Sequence, residues 1–323
     1  MSNRALDVTA CILSLNRPEY LRDAVVSVLS QTHASKDIVI LDNGSESDVF
    51  TAVEEYLKKG VRWQGANVTR SAFWNFRRAS ALTKTKYVFI MHDDDRLCQN
   101  FLDKQIDFLE RNPDVAAVSC NGYVIDEGGK RNGRLLLPDL NDSRFELYKC
   151  SADVALRYAS DSCIPMSPVV YRTEILSQVD FREEFEKVAD AVFFCDMADI
   201  GIVAYQSSAL YECRVHGGQD SSYFSPAIMG KLENYFWTRK TKSDEDLAKL
   251  HNLLIRQHTF RNLRRLIGAL RNPQSLRHVL SEFGNVWDGV FSPLAVFKIV
   301  TNAVGKRISA IWKKSSNSLC RLN

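Results

Sequence analysis

The sequence predicts an α/β fold in which a doubly wound, mostly parallel sheet is flanked by helices and followed by a helical C-terminal appendage. Strand-like and helix-like segments alternate with short connections over residues 8–91, which is typical of a parallel sheet. From Pro226 onward the pattern is helical, with many basic residues and little β signal. A length of 323 residues suits one large domain with an appendage, so we predict a boundary between residues 1–225 and 226–323.

The first strand and helix are predicted from one short segment. VTACILSL, residues 8–15, is a nearly continuous run of β-prone residues, as expected of a strand buried on both faces. Asn16 is a candidate helix cap, and Pro18 suits the first helical turn. Apolar residues then recur at helical spacing on one face, namely Leu21, Ala24, Val25, Val28 and Leu29.

The alternation continues with a second strand, DIVILDNGS, which ends in a polar turn at residues 42–45. The next predicted elements are a helix with Val49, Val53, Tyr56 and Leu57 on one face, a short strand near 61–63, a helix over 71–82 and a strand over 86–91. Ligands in such sheets bind at the carboxyl ends of the strands. Asp42 and the aspartates that follow Met91 both fall at such ends, so we expect the functional site there.

After Asn112 the pattern is less regular, and we predict shorter strands and turns, with an exposed loop at DEGGKRNGR, residues 126–134. A helical segment surrounds residues 183–201. Two short strands, IVAYQ and LYECRV, are predicted over 202–206 and 210–215.

Composition limits the class of protein. With 45% apolar and 25% charged residues the chain is ordinary globular material. The eight cysteines lie 13 or more residues apart, which excludes CxxC and zinc-ribbon spacings and predicts reduced thiols in a cytoplasmic compartment. We expect no signal peptide, since no basic segment precedes an apolar run, and no transmembrane helix, since no uncharged apolar stretch approaches about 18 residues.

The net charge of +3 conceals an asymmetry. Residues 226–323 carry 17 Lys and Arg against 6 Asp and Glu, whereas residues 1–225 carry 25 against 33. A basic appendage favours an anionic partner such as a membrane surface. The segment 293–314 combines apolar residues at helical spacing with lysines and arginines, which predicts either a helix lying on the membrane or one packed against its own domain or a subunit. We expect no nucleic-acid partner.

Three consecutive aspartates follow the strand over 86–91, in the stretch FIMHDDDRLCQN. Two carboxylates about 4 Å apart repel by about 1 kcal/mol in water and about 4 kcal/mol near a protein surface. The chain tolerates this if the carboxylates are solvated, cap a helix or hold a cation. Hard divalent cations prefer carboxylate oxygens, and an EF-hand calcium loop is excluded because Leu97 and Cys98 break its ligand pattern.

Taken together, the segments resemble the family 2 glycosyltransferases of GT-A fold over residues 6–225. The opening pattern is ILSLNRPEYLRDAVVSVLSQTHASKDIVILDNGS, with Asn-Arg after the first strand, Ser-x-x-x-Gln at 27–31 and DNGS after the second strand. The resemblance implies that Ser14, Asn16 and Arg17 line the nucleoside of a nucleotide-sugar and that Asp42 binds its base or ribose. Helix capping by Asn16 and a simple turn at Asp42 are the alternatives.

A second family block usually contains a glycine and a small residue between two asparagines. Here it is NVTRSAFWN, with Asn67 and Asn75 at the usual spacing but Thr69 and Phe73 in the usual small positions. The resemblance implies that Asn67 binds the nucleotide-sugar and that Arg70 reaches the diphosphate. The alternative for Arg70 is a solvated side chain at a helix start.

The aspartate triplet aligns with the family's metal motif, usually LDSDD and here MHDDD, so His92 stands in the first acidic position. The resemblance implies that Asp94 is the main ligand of Mn²⁺ or Mg²⁺. Asp93 and Asp95 are implied to be flanking metal ligands, and Asp93 is also implied to bind the nucleotide-sugar. The alternative for Asp95 is that it supports the loop through backbone hydrogen bonds. His216, in an Arg-x-His pattern with Arg214, is implied to contact the metal or diphosphate, while an ordinary surface histidine is the alternative.

The family's general base is an aspartate that usually follows a glutamate near a helix start. Here the pair is Ala189-Asp190, so the resemblance implies Asp190 as the base, although its usual partner is missing. An aspartate that interacts only with the helix dipole is the alternative. Asp196 and Asp199 are the other candidates.

The resemblance implies inverting transfer of a sugar from a nucleotide-sugar to a hydroxyl of a glycan or lipid-linked acceptor. UDP is the expected carrier by family habit, with GDP and dTDP as the alternatives. Bacterial surface-polysaccharide synthesis is the expected setting, in the cytoplasm or on the inner face of the membrane. Ala189, His92 and Phe73 allow a second reading, a non-catalytic member that binds the donor or a glycan. A sugar nucleotidyltransferase would need a basic, Gly-rich N-terminal loop, which is absent from the first 30 residues, and a membrane-surface scaffold is the remaining alternative.

Overall fold

In the computed structural model the described residues are 7–46, 48–138, 144–160, 162–217, 226–239 and 244–255. The chain up to His251 forms one compact unit, and a second unit begins at Asn252. The strands of the first unit are β1 (Val8–Ser14), β2 (Lys36–Asp42), β3 (Arg62–Gly65), β4 (Tyr87–His92), β5 (Arg96–Leu97), β6 (Val115–Ile125), β7 (Arg131–Leu135), β8 (Phe145–Tyr148), β9 (Val169–Arg172) and β10 (Ile202–Arg214). Its helices are α1 (Pro18–Leu29), α2 (Val49–Leu57), α3 (Ala72–Leu82), α4 (Phe101–Arg111), α5 (Ser151–Ala159), α6 (Thr173–Leu176), α7 (Ala189–Ala198) and α8 (Pro226–Trp237), with a 3₁₀ segment at Glu183–Val188.

All the strands described belong to one sheet, in the order β3-β2-β1-β4-β9-β6-β10-β5, with β7 beside β6 and β8 beside β10. The first four strands in this order are mutually parallel. Strand β9 is antiparallel to both of its neighbours, whereas β10 runs parallel to β6. The predicted α/β fold with a mostly parallel sheet is therefore confirmed.

The strands at the centre of the sheet are apolar because helices cover both faces. Every residue of β1 is buried, and so are the first five residues of β4. Helix α1 places its predicted face, Leu21, Ala24, Val25 and Val28, in the same core. This burial is why the two strands are nearly continuous apolar runs rather than alternating ones.

The predicted pair of strands at 202–206 and 210–215 was wrong, because one strand, β10, spans Ile202–Arg214. Its pairing with β6 shifts register between Gln206 and Ala209 and again before Tyr211. Such irregularities interrupt the side-chain alternation, which explains why the sequence suggested a break. The continuous strand delivers Arg214 to the same edge of the sheet as the aspartate triplet.

The region after Asn112 is also more regular than predicted. Strand β6 is 11 residues long and almost entirely buried, and the predicted loop over 126–134 contains a tight turn followed by β7. Gly129 has φ +82°, and a Cβ at this position would lie 2.8 Å from Arg96 Nη1. The positive φ favours glycine in this turn, whereas the end of the Arg96 side chain could move away from a Cβ.

Helix α8 contacts the rest of the first unit. Tyr235 Oη donates to Asp196 Oδ1 at 2.7 Å, and Lys231 Nζ donates to the Glu184 carbonyl at 2.9 Å.

The domain boundary at 225/226 stays a prediction, and the basic segment 293–314 lies outside the described residues. Within the part of the chain that is described, no helix is both long and apolar enough to span a membrane, and seven cysteines are free thiols.

Arg172→Met should lower the free energy of unfolding by about 3 kcal/mol. The Arg172 side chain is buried and donates to the backbone carbonyls of Val115 at 2.8 Å and Leu109 at 2.6 Å. Methionine removes these hydrogen bonds from a charged donor, each of which contributes about 1.5–3 kcal/mol. Urea denaturation measures the change, with Arg111→Met, an exposed arginine of α4, as the control. Equal unfolding free energies for the two variants would contradict this role.

Candidate functional site

The candidate site lies at the sheet edge where β1, β2 and β4 end. Ser14 pairs with Asp42 across β1 and β2, and Leu13 pairs with His92 across β1 and β4. Because these parallel strands end in register, the residues that follow them are neighbours. The structure thus brings together Ser14, Asp42 and the aspartate triplet, as the sequence predicted.

Asp93 is bound to the segment that follows β1. Its Oδ2 accepts a hydrogen bond from the Leu15 amide at 2.9 Å, and its Oδ1 accepts one from Arg17 Nη1 at 3.2 Å. The residue is only 2% exposed. Burial raises the pKa of Asp93 to about 6, although the Leu15 amide and the charge of Arg17 oppose the rise. Asp93 therefore joins the end of β4 to the end of β1.

Asp94 is the anionic centre of the site. Its Oδ2 accepts hydrogen bonds from Arg17 Nη1 and from His216 Nε2, both at 3.0 Å. Burial alone would raise the pKa of Asp94, but the charge of His92, the hydrogen bond from His216 and the charge of Arg17 together lower it. Asp94 is thus the one aspartate of the three whose surroundings favour the ionised form.

Asp95 is held inside the fold. It is 4% exposed and accepts hydrogen bonds from the Arg214 amide at 2.9 Å, from Ser167 Oγ at 3.3 Å and from the hydroxyl of Tyr211. Burial, followed by the nearby charge of Asp94, raises the pKa of Asp95 to about 7. This geometry matches the loop-supporting role, one of the two roles predicted for Asp95.

The donor groups at this edge fit a divalent cation. His92, Asp94 and Asp95 each offer one potential ligand atom, and these atoms lie within 4.8 Å of one another. His216 Nε2 lies 3.0 Å from Asp94 Oδ2. Since both oxygens of Asp95 accept internal hydrogen bonds, Asp94 with His92 and His216 is the set we favour. Sequence reasoning did not include His92 as a ligand, although its place in the acidic motif was a signal.

Arg214 connects the triplet to the surrounding elements. It is 1% exposed, and its guanidinium donates to the Asp94 carbonyl at 2.8 Å, to Asp23 Oδ2 at 2.9 Å and to the Glu127 carbonyl at 2.8 Å. The guanidinium also lies 4.5 Å from the ring centroid of Tyr20. Arg214 therefore fixes the end of β10, and with it His216, against α1 and the turn after β6.

The end of β2 forms a compact turn. Asp42 Oδ2 accepts hydrogen bonds from the amides of Gly44 and Ser45, both at 3.1 Å, and Oδ1 accepts one from the Ser45 hydroxyl. These bonds are the turn role that the Asp-Asn-Gly sequence predicts. A Cβ on Gly44, which has φ +76°, would lie 2.6 Å from the Val68 carbonyl carbon. A glycine is required where this turn meets the 68–70 segment, and nucleoside binding by Asp42 stays a prediction.

Asn16 does not cap α1, which corrects the capping alternative. The N-cap position is Arg17, and its side chain makes no capping bond. Asn16 instead adopts φ +57°, and its Oδ1 accepts a hydrogen bond from the Glu46 amide at 2.7 Å, which ties the ends of β1 and β2 together. Ser14 Oγ is buried and has no hydrogen-bond partner among the described residues, so it is available to a ligand.

The Asn67–Asn75 block lies beside the β2 turn. The Asn43 side chain donates to the Arg70 carbonyl at 2.8 Å and accepts from the Arg70 amide at 3.2 Å, and the Arg70 guanidinium lies over Trp74. Asn75 is buried and donates to the Leu41 carbonyl at 2.9 Å, so it serves the fold. Asn67 is exposed, and its predicted role and that of Arg70 stay predictions.

Asp190 lies in the first turn of α7. Its Oδ1 accepts a hydrogen bond from the Ala191 amide at 2.8 Å, and burial raises its pKa to about 6. The other two candidates have structural partners, since Asp196 pairs with Arg182 at 2.8 Å and Asp199 accepts from the Ser151 amide at 2.9 Å. No ion pair of Asp190 is found within the described ranges. Among the three candidates, its surroundings best suit a general base.

The segment 162–168 connects the surroundings of Asp190 to the triplet. Ser167 donates to Asp95, and the hydroxyl of Tyr171 donates to Met166 Sδ at 3.6 Å. Burial, followed by the charge of Asp190, raises the pKa of Tyr171 well above its ordinary value. Tyr171 thus contacts this segment through Met166 and lies within the electrostatic influence of Asp190, while the catalytic role of Asp190 stays a prediction.

The chain is similar in sequence to known glycosyltransferases. Residues 9–179, more than half of the chain, match the sequence family described as Glycosyl transferase family 2. An uncharacterized glycosyltransferase of Haemophilus influenzae is 22% identical over 223 residues, which cover 68% of each chain. A second one, of Methanocaldococcus jannaschii, is 31% identical over 196 residues, which cover 58% of this chain and 63% of that protein.

Two further likenesses are to a relative with an assigned pathway and to a solved structure. The putative teichuronic acid biosynthesis glycosyltransferase TuaG of Bacillus subtilis is 29% identical over 128 residues, or 39% of this chain and 50% of TuaG. The crystal structure of S. aureus TarS 1–349 in complex with UDP-GlcNAc superposes with a TM-score of 0.63 at 16% identity, covering 86% of this chain and 80% of that one. This likeness shows the GT-A fold.

Proposed function

The chain belongs to glycosyl transferase family 2 and is a glycosyltransferase, and from this premise we propose that it transfers a sugar from a UDP-sugar, with inversion, to a hydroxyl of a glycan or lipid-linked acceptor. One observation carries the proposal. At the edge where β1, β2 and β4 end, the ionised Asp94 accepts hydrogen bonds from cationic or basic side chains of two distant segments, Arg17 and His216. Such an arrangement suits the binding of a diphosphate together with a divalent cation.

The donor is proposed to lie along this edge. Ser14 Oγ, a buried hydroxyl without a partner in the described residues, gives the nucleoside a hydrogen-bonding group, and Asp42 is its neighbour in the strand register. Buried polar groups in native proteins are nearly always hydrogen-bonded, so a bound ligand explains this exception. Arg70 lies beside the same turn and supplies positive charge for the diphosphate.

The choice of UDP and of a polysaccharide product has support from the relatives. TarS has been crystallised with UDP-GlcNAc, and TuaG is named for teichuronic acid biosynthesis. The aligned region spans half of TuaG, and the likeness to TarS is one of fold. Bacterial cell-surface polysaccharide synthesis is therefore the setting that we propose.

Catalysis is assigned to residues of this chain. Asp190 accepts the proton of the acceptor hydroxyl while that oxygen attacks the anomeric carbon from the face opposite the diphosphate. The new C–O bond forms as the bond from the anomeric carbon to the phosphate oxygen breaks, and UDP leaves. Asp94, His92 and His216 would hold Mn²⁺ or Mg²⁺, which when bound stabilises negative charge on the leaving diphosphate.

A panel of nucleotide-sugars tests the donor. We expect UDP-sugars, UDP-GlcNAc first, to raise the melting temperature with Mn²⁺ present and much less without it. At a ligand concentration about 100 times Kd, binding raises the free energy of unfolding by about 2.7 kcal/mol. GDP- and dTDP-sugars at the same concentration are the controls. If one of them stabilises the protein and UDP-sugars do not, the proposed donor is wrong. Stabilisation without slow hydrolysis of the donor would instead indicate a binding protein.

A further inference from the structure

Arg17 contacts two carboxylates of the aspartate triplet at the candidate cation site, Asp93 and Asp94. Its Nη1 lies 3.0 Å from Asp94 Oδ2 and 3.2 Å from Asp93 Oδ1. The Asp93 and Asp94 side chains are 2% and 10% exposed, whereas that of Arg17 is 34% exposed. The guanidinium is thus the solvent-facing part of this group, and it supplies positive charge to carboxylates that are themselves removed from water.

The same carboxylate oxygen already has two donors. Asp94 Oδ2 accepts from both Arg17 and His216, and a carboxylate oxygen offers about two lone-pair positions. A divalent cation coordinated by this oxygen therefore has to displace one donor. A guanidinium and a divalent cation on one carboxylate also repel each other, whereas an imidazole can itself be a ligand of the cation. Arg17, the more exposed of the two, is the group that moves.

The backbone around Arg17 is held in place, so the movement is one of the side chain. The Asn16 amide donates to Ser45 Oγ at 2.9 Å, and Asn16 Oδ1 accepts from the Glu46 amide at 2.7 Å. Pro18 begins α1 immediately afterwards and restricts its own φ. Rotation about the side-chain bonds alone takes the guanidinium off the carboxylates.

We propose that Arg17 is a resident counter-ion that competes with the cation for Asp94 and turns to the diphosphate when cation and nucleotide bind together. The inference rests on the cation site of the proposed function. It predicts that the cation binds weakly to the nucleotide-free protein. Binding becomes tighter with UDP, because the diphosphate accepts the guanidinium that the cation displaces.

Mn²⁺ binding to the full chain tests this, measured from the EPR signal of free Mn²⁺ with and without UDP. Arg17→Met should bind Mn²⁺ about tenfold more tightly than the wild type in the absence of nucleotide, since the contacts of Arg17 with Asp93 and Asp94 no longer have to be broken. UDP should then improve Mn²⁺ affinity less in the variant than in the wild type. Arg17→Lys, which keeps the charge, should restore most of the wild-type behaviour.

The control is Arg22→Met, which removes the same charge from an exposed position on α1, where Arg22 contacts the Ala52 carbonyl and neither aspartate. If Arg22→Met tightens Mn²⁺ binding as much as Arg17→Met, or if Arg17→Met binds like the wild type, the inference is overturned while the cation site stands. If neither the wild type nor Arg17→Met binds Mn²⁺ even with UDP, the cation site itself fails and the inference falls with it.

Discussion

Asp94→Asn should abolish cation-dependent binding of the nucleotide-sugar and lower turnover by about 10³-fold or more. Asp94 is the member of the triplet whose pKa is lowered by its surroundings, and Arg17 and His216 both donate to its Oδ2. Asparagine keeps the size of the side chain but removes the negative charge that would bind the cation. Stabilisation of a developing charge by a metal ion is worth several kcal/mol, and each 1.4 kcal/mol is about tenfold in rate.

The measurement is calorimetric titration of UDP-GlcNAc with and without Mn²⁺, followed by turnover at saturating donor. Asp107→Asn removes one charge from an exposed residue of α4 and is the matched control. A melting curve establishes that the variant is folded. If Asp94→Asn binds the donor as the wild type does, with the same dependence on Mn²⁺, then Asp94 is not the ligand and the proposed site is wrong.

The position of this site was predictable because the central strands are clear in the sequence and end at one edge of the sheet. Strands β1 and β4 are contiguous apolar runs, so their ends could be read directly, and parallel strands end at one edge. Asp42 and the triplet therefore had to be neighbours. The helices α1 and α2 were equally clear, because their apolar residues recur at helical spacing.

The separate roles of the three aspartates were not predictable from their order. Asp95 is buried by Tyr211 and Arg214, which lie more than a hundred residues later in the chain. Their contribution depends on β10 being one strand, and its register shifts concealed this in the sequence. The contacts of Arg17 were not predictable either. The resemblance implied a contact with the nucleoside, whereas the structure places the guanidinium against Asp93 and Asp94.

Three aspartates near α7 are candidates for the general base, because this chain departs from the family motif. With Ala189 in place of the usual acid, the sequence left Asp190, Asp196 and Asp199 as candidates. Asp196 is bound by Arg182 and Tyr235, and a side chain already engaged in an ion pair is a poor general base. Asp199 and Asp190 each accept a hydrogen bond from a backbone amide, of Ser151 and Ala191 respectively. Asp190, whose pKa is raised by burial, stays the proposed base.

Asp190→Asn should lower turnover by about 10²–10⁴-fold and leave donor affinity unchanged. The amide cannot accept the acceptor's proton, yet it keeps the size of the carboxylate and an oxygen for the hydrogen bond from the Ala191 amide. Asp196→Asn, on the same helix, is the matched control and should mainly affect stability through Arg182 and Tyr235. The rate of sugar transfer and the Kd for UDP-GlcNAc are both measured. Loss of turnover in Asp196→Asn but not in Asp190→Asn would move the base to Asp196.

The pH dependence of turnover tests the same assignment. Burial raises the pKa of Asp190 to about 6, so the wild-type rate at saturating donor should fall below about pH 6, where the carboxyl becomes protonated and cannot act as a base. Asp93 and Asp95 also have raised pKa values, but a bound cation favours their ionised forms, so in the enzyme–donor complex they titrate at lower pH. The acidic limb of kcat therefore belongs to Asp190, whereas the triplet affects donor affinity. The residual kcat of Asp190→Asn should not fall below about pH 6. If the same fall persists in the variant, a group other than Asp190 causes it.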